Sequence, residues 1–301
     1  MKQDAVLLPV PVCPSGCRTK LVRRGQFLRR SDSALVQRFQ CRECSKSCSE
    51  ATFSRCFRQK KRHLNSTIFH LLTGGFSQRR AAFDLHINRK TVARKFLFLG
   101  MASTEILAQL NHLLKPISKV QFDDLETSEH TKLKPLSVTV AAEETSRWIL
   151  GFRVSEMAAK GRIAHLSRKK YGPRRDTRSA ARLSLFNELK PFIAADAIIK
   201  SDDNPHYLKE LRKVFPTQEY RTFVSRRACV VGQGELKKGG FDPIFTINHT
   251  LAMLRANINR LFRRTWCTTK KKDRLSLHIA MYACKHNLLL IKQSKVPYKA
   301  A

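Results

Sequence analysis

Two sets of residues could do chemistry. The first is a group of cysteines near the start of the chain. Six of the nine cysteines precede residue 57, and four form close pairs, Cys13-x3-Cys17 and Cys41-x2-Cys44, with 23 residues between the pairs. Thiolates at this spacing can converge on one tetrahedral Zn²⁺ while the intervening stretch folds as a hairpin, so a zinc ribbon is expected. Cys48 and Cys56 are alternative ligands. The remaining cysteines, 229, 267 and 284, read as buried apolar residues. The second set is carboxylate. Asp123 ends the apolar run Val120-Gln121-Phe122, and Asp202 ends Ala197-Ile198-Ile199, 79 residues later. Two such aspartates become neighbours if their strands pair. Oxygen ligands suit Mg²⁺ or Mn²⁺. Two such ions about 4 Å apart can activate an attacking oxygen and stabilise a leaving one at a phosphodiester. Asp124 and Asp203 stand next to these residues. Side chains alternate across a strand, so only one of each adjacent pair should face the site.

The elements that must position these residues follow from periodicity. Residues 66–96 read as three short helices. Ser66 and Thr67 cap the first and Gly74-Gly75 stops it. Ser77 caps Gln78–Phe83, and Asn88 caps Arg89–Phe96. Two helices joined by the tight turn Leu85-His86-Ile87 form a helix-turn-helix pattern. Its last helix offers Arg89, Lys90, Thr91 and Arg94 to a DNA major groove, with Arg79 and Arg80 on the helix before. From residue 117 the period becomes two. Strands are expected at 120–123, 136–141 and 148–154, as an antiparallel meander. A basic stretch follows, then a helix near 178–193, a strand at 197–202, a helix from Tyr207, a strand at 219–224, and helices at about 247–264 and 273–291. Three strands, helix, strand, helix, strand, helix is the order of a ribonuclease H-like core.

Composition sets the class of partner. The 301 residues carry a formal net charge of +35, and 42% are hydrophobic. That is enough apolar material for a core, and the charge calls for a polyanion. The middle third carries the smallest excess of positive charge, and residues 121–129 contain no Lys or Arg. Acidic residues set in a basic surface are what a metal-dependent enzyme acting on phosphodiesters needs. No apolar run approaches the roughly 18–20 residues of a membrane span, and the N-terminal segment lacks signal-peptide character. The expectation is a soluble intracellular chain with no membrane partner.

Six segments carry a family resemblance that covers nearly the whole chain. Gln37–Lys46 looks like a second zinc knuckle, and Ser77–Ala82 matches the helix-turn-helix segment. Phe122–Thr127 and Ser201–Tyr207 resemble the first and second catalytic motifs. Asn248–Arg255 together with Asn259–Trp266 resembles the third. The chain is similar to zinc-ribbon insertion-sequence transposases of the DDE type with a ribonuclease H-like core. That resemblance implies an α/β ribonuclease H-like core, a mixed five-stranded sheet with helices, over 116–301, with a basic insertion at about 160–182. It implies a zinc ribbon over 1–57 and a helix-turn-helix domain over 58–115. Asp123, Asp202 and Asn248 would bind Mg²⁺ or Mn²⁺. The usual Glu falls at Asn248, as in members of the group that carry Asp-Asp-Asn, and His249 or Glu126 could compensate for the missing charge. The function implied is binding of terminal inverted repeats in double-stranded DNA, followed by cleavage and strand transfer. The protein would act as a homo-oligomer on paired ends in the cytoplasm of a bacterial host, at the nucleoid. Residues 168–182, including Arg174 and Arg175, would hold phosphates. Arg255, Arg260, Arg263 and Arg264 would face DNA beside the metals. The alternative is an inactive or domesticated transposase that acts only as a sequence-specific DNA-binding regulator.

Overall fold

The computed structural model describes residues 12–30, 32–224, 242–262 and 265–295. The chain divides after Thr67 into two compact units. The smaller begins with strands β1 (Leu21–Arg29), β2 (Ala34–Cys41) and β3 (Ser47–Ser49), which form an antiparallel sheet in chain order. β1 and β2 make the expected hairpin between the cysteine pairs, running from Leu21 opposite Cys41 to Arg29 opposite Ala34. A bulge between Arg23 and Gln26 holds Gly25 at φ +73°, a conformation that costs glycine little. The short helix α1 (Glu50–Phe53) packs Phe53 edge-on against Phe39.

The boundary between the units falls inside α2 (Leu64–Leu72). α2 starts ahead of Ser66 and Thr67, so these residues lie within the helix and do not cap it. α3 (Gln78–Asp84) and α4 (Arg89–Leu110) are capped as expected. The Ser77 hydroxyl accepts from the Arg80 amide at 3.1 Å, and the Asn88 carbonyl oxygen accepts from the Lys90 amide at 2.8 Å. α4 runs 14 residues beyond the expected end at Phe96. The reason is an inward stripe, Val92, Phe96, Gly100, Ser103 and Leu107, at helical spacing. That stripe meets the last helix of the fold so closely that a Cβ on Gly100 would lie 2.7 Å from the Leu277 Cβ.

Next comes the meander β4 (Ile117–Ser128), β5 (Pro135–Glu143) and β6 (Ile149–Glu156), then helices α5 (Ala164–Tyr171) and α6 (Arg178–Leu189). The last elements are β7 (Ile193–Asp202), α7 (Tyr207–Val214), β8 (Glu219–Phe223), α8 (Phe245–Asn257) and α9 (Lys272–Lys292). The sheet is mixed, in the order β6-β5-β4-β7-β8. β4, β5 and β6 are antiparallel, β7 runs parallel to β4, and β8 runs parallel to β7. β5 is buried along nearly its whole length because helices cover both faces.

One core joins α4, α8 and α9 to the sheet through Leu125, Val138, Val140, Leu251 and Ile279. The other joins α6 and α7 to the opposite face through Phe122, Leu150, Leu185, Phe186 and Leu211. α8 ends seven residues before its expected limit of 264. Ile258 turns out of the helix into extended backbone and is fully buried, and a single turn over Asn259–Leu261 follows. No helix among the described residues is long and apolar enough to cross a membrane.

Candidate functional site

The cysteine quartet is built by two turns. The Gly16 amide donates to the Cys13 carbonyl at 3.0 Å with Gly16 at φ +83°, which closes the first knuckle. The Cys41 amide donates to the Lys46 carbonyl at 3.0 Å and closes the second. Together they bring the sulfurs of Cys13, Cys17, Cys41 and Cys44 within 4.8 Å of one another. The Ser15 amide draws the Cys13 thiol below its ordinary pKa. The Cys44 amide, helped by the Thr19 hydroxyl, draws Cys41 down to about 6. The Cys44 thiol, with burial, pushes Cys17 up. Four converging sulfurs cannot all ionise in mutual contact, and a tetrahedral dication removes that repulsion. The group could hold a structural metal such as zinc. Cys48 and Cys56 stand outside the quartet, and Cys56 sulfur instead accepts from Asn65 at 3.4 Å. Cys267 and Cys284 are buried, and Cys229 lies outside the described residues.

The two aspartates meet on the sheet. β4 and β7 pair in parallel with Lys119 beside Ile198, Val120 beside Ile199 and Gln121 beside Lys200. Continued by two residues, that register sets Asp123 beside Asp202. The odd-numbered residues of β4 face the α8 side, since Leu125 lies in that core, while Phe122 belongs to the other. Asp123 and Asp202 therefore share the α8 face. Burial, then the Asp202 charge, raises Asp123 to about 7. Burial, then the charges of Asp124 and Asp203, raises Asp202 as well. Asp123 accepts from the Tyr207 hydroxyl at 3.4 Å and from the Asp124 amide at 2.6 Å. Asp202 Oδ1 is buried with no hydrogen-bond partner. An orphaned carboxylate oxygen beside a second carboxylate is a donor set that fits a hard divalent cation. Among the described residues, no third acid completes a cluster around the pair of the kind the cysteines make.

Asp124 is handled differently. It faces α6, where Arg182 Nη1 donates to it at 2.7 Å and the Thr139 hydroxyl also donates. Arg182 is only 3% exposed, pairs through Nε and Nη2 with Glu210 of α7, and lies over the Tyr207 ring. This buried network was not anticipated. The basic run predicts Arg182 as a phosphate contact, and the residue instead ties β4, α6 and α7 together. Its sequence signal is its position on the inward stripe Arg182, Leu185, Phe186 and Leu189.

α8 is fixed to β4 just short of Asp123. The Ile247 amide donates to Gln121 Oε1 at 3.0 Å, and Gln121 Nε2 donates to the Pro243 carbonyl at 3.0 Å. Gln121 and Asp123 share a face of the strand, so the first turns of α8 lie on the aspartates' side. Asn248, the next residue, is exposed, and its amide donates to Asp242 at 2.9 Å. Among the described residues, the Asn248 side chain makes no hydrogen bond to either aspartate. His249 turns elsewhere. Its ring lies against Phe245, and burial together with the Arg147 charge lowers its pKa. Glu126 is exposed and pairs with Lys160 at 3.5 Å.

The candidate DNA contacts divide into exposed and engaged groups. Arg79, Arg80, Arg89, Lys90 and Arg94 are exposed on α3 and the first turns of α4, and Thr91 is half-buried. Arg175 is exposed, whereas Arg174 is drawn to Glu156 at 3.6 Å and Arg178 to Asp176 at 2.6 Å. Arg260 is turned inward over the Phe96 ring, and burial, with the Arg274 charge, lowers its pKa to about 10. Arg255 lines a groove beside Glu126 and Trp266. Arg263 and Arg264 lie outside the described residues. No protein-family model matches the chain, and no curated protein matches it significantly.

Proposed function

We propose that the chain is a DNA transposase of an insertion sequence. It binds the inverted repeats at the element's ends, cuts a phosphodiester there and joins the freed 3′ end to target DNA. The observation that carries this reading is the parallel pairing of β4 and β7, whose register, continued two residues past Gln121 and Lys200, sets Asp123 beside Asp202, together with a buried, unpartnered oxygen on Asp202. The sheet order β6-β5-β4-β7-β8, three strands antiparallel and two parallel, supports a ribonuclease H-like core. The capped pair α3 and α4, with exposed cations at its turn, supports a helix-turn-helix. The hairpin between the cysteine pairs supports a zinc ribbon.

In this reading Asp123 and Asp202 hold Mg²⁺ (or Mn²⁺), with the Asn248 side-chain oxygen as a neutral third donor. The metal supplies Lewis acidity at the scissile phosphate and at the attacking oxygen. Tyr207 fixes the Asp123 carboxylate through its hydroxyl. Gln121 sets the start of α8 against the strand that carries Asp123. The α3–α4 cations neutralise phosphates and set the register of the duplex, a salt-sensitive contribution.

Asp202→Ala is expected to abolish Mg²⁺-dependent nicking of DNA carrying the element's ends while binding to those ends persists. Cleavage by the variant at the wild-type rate would refute the metal assignment. One observation favours a second reading, a binding-only regulator. Asn248 brings no charge and its amide is engaged by Asp242. That reading predicts end binding with no nicking by the wild-type protein.

A further inference from the structure

A groove of about 760 Å³ runs along the start of α3 and α4. Its lining includes the cations Arg79, Arg80, Arg89 and Lys90 and the aromatic side chains Phe262 and Trp266. Trp266 is 74% exposed, an unusual setting for the largest apolar side chain. The same two aromatic residues also border the groove beside Arg255 and Glu126, so they form a ridge shared by both. A lining that combines cations with aromatic side chains suits a strand whose phosphates are neutralised while its bases stack. An intact duplex offers phosphates to these cations but keeps its base faces inside the stack. Along a duplex only the terminal pair shows one outer face, whereas an unpaired base can turn a π-face toward an indole.

We propose that this groove binds unpaired DNA at the end of a duplex. One base stacks on the Trp266 indole, and the adjoining phosphates lie on Arg79, Arg80, Arg89 and Lys90. The inference rests on reading α3 and α4 as nucleic-acid contacts, and it adds a ligand form, a frayed or overhanging end. It assigns Trp266 as the residue that distinguishes that form from a blunt duplex.

The protein carries its own probe. It has two tryptophans. Trp148 is 1% exposed, with its indole N–H donated to Asn111 at 2.9 Å, so external quenching reports on Trp266. The full-length zinc-loaded protein is titrated with a blunt duplex, with the same duplex bearing a short 5′ or 3′ overhang, and with single-stranded DNA and RNA of the overhang sequence. The overhang duplex is expected to quench the accessible emission and to bind more tightly than the blunt one. Binding by the Trp266→Ala and Trp266→Phe variants is followed by anisotropy of a labelled strand. Trp266→Ala is expected to lose roughly tenfold affinity for the overhang duplex, the size of one lost base stack, and little for the blunt duplex, while Trp266→Phe keeps most of the preference.

Equal quenching by blunt and overhang duplexes would overturn the proposal. So would unchanged overhang affinity in Trp266→Ala, or a preference for RNA. If the overhang preference is absent while Asp202-dependent nicking is present, this inference fails and the transposase reading stands. If overhang binding depends on Trp266 and no nicking occurs, the reverse holds.

Discussion

The cysteine quartet and the aspartate pair are both candidate metal centres, but they relate to the fold in opposite ways. The quartet sits in a small unit whose core holds little beyond Cys13, Val36 and Cys41 among its fully buried apolar residues. Its four sulfurs come from two turns. The aspartates sit on a five-stranded sheet covered on both faces, and their positions follow from strand register. A metal at the first site would help to make its fold, whereas a metal at the second would be received by a fold already made. Cost is distributed accordingly. A bound ion at the quartet would contribute directly to folding of the small unit. The aspartate pair holds two like charges close together at the expense of the sheet's stability.

The largest effect that would break this contrast comes from zinc. Chelation, or Cys41→Ser, is expected to unfold residues 12–67, in line with the roughly 10–16 kcal/mol that structural zinc contributes in small domains. The sheet unit should remain folded. Hydrogen exchange on the full chain checks both halves, and retained protection in the small unit would show that it does not depend on metal. The next effect concerns the brace behind the aspartates. Arg182→Met strands the buried carboxylates of Asp124 and Glu210 and is expected to cost about 3–5 kcal/mol in urea unfolding. Replacing Arg182, Asp124 and Glu210 together by apolar residues should recover much of that loss. If it does not, the network does more than neutralise itself.

The smallest effect sharpens the comparison most. Asp123 titrates near 7 in the folded chain and near 4 in the unfolded chain. Between those values only the folded chain holds the proton, so this group's contribution makes stability fall as pH rises through the window and level off above it. Asp123→Asn is expected to remove that fall and to raise stability at pH 8 by on the order of 1–4 kcal/mol. Added Mg²⁺ should stabilise the wild type at pH 8 and not the variant. His278 acts in the opposite sense over nearly the same range. Burial lowers it to about 4, and its contribution is lost as pH falls from about 6.5. The difference between wild type and Asp123→Asn is therefore the quantity to read, from thermal melts at several pH values.

Much of the fold was legible because period-two runs at 120–154 and short apolar strands near 197 and 219 leave few alternatives. That Asp123 and Asp124 face opposite sides of β4 was legible too, since side chains alternate along a strand, but alternation does not say which of the two faces which side. What stayed hidden was direction inside the basic segments. A run such as 168–182 reads as uniformly solvated, yet Arg182 turns inward because helical spacing places it on the stripe with Leu185, Phe186 and Leu189. Arg260 turns inward for a related reason, since the buried Ile258 and Leu261 on either side pull its turn against Phe96. Charge alone does not announce such residues, whereas charge considered together with periodicity does. The length of α4 was missed because residues 97–110 carry weak local signals, and packing against α9 decides their state.

That helix has a mechanical consequence. As a 22-residue rod, α4 spans about 33 Å. Its first turn carries Arg89 and Lys90, and its last leads through the single turn Asn111–Leu113 into β4, the strand of Asp123. Asn111 pins that junction by donating to the Leu150 carbonyl at 2.7 Å and accepting from Trp148 at 2.9 Å. Midway, Gly100 lies flush against Leu277, so the rod cannot slide past α9. The helix thereby joins the exposed cations of its first turn to the strand that carries Asp123 as one stiff strut.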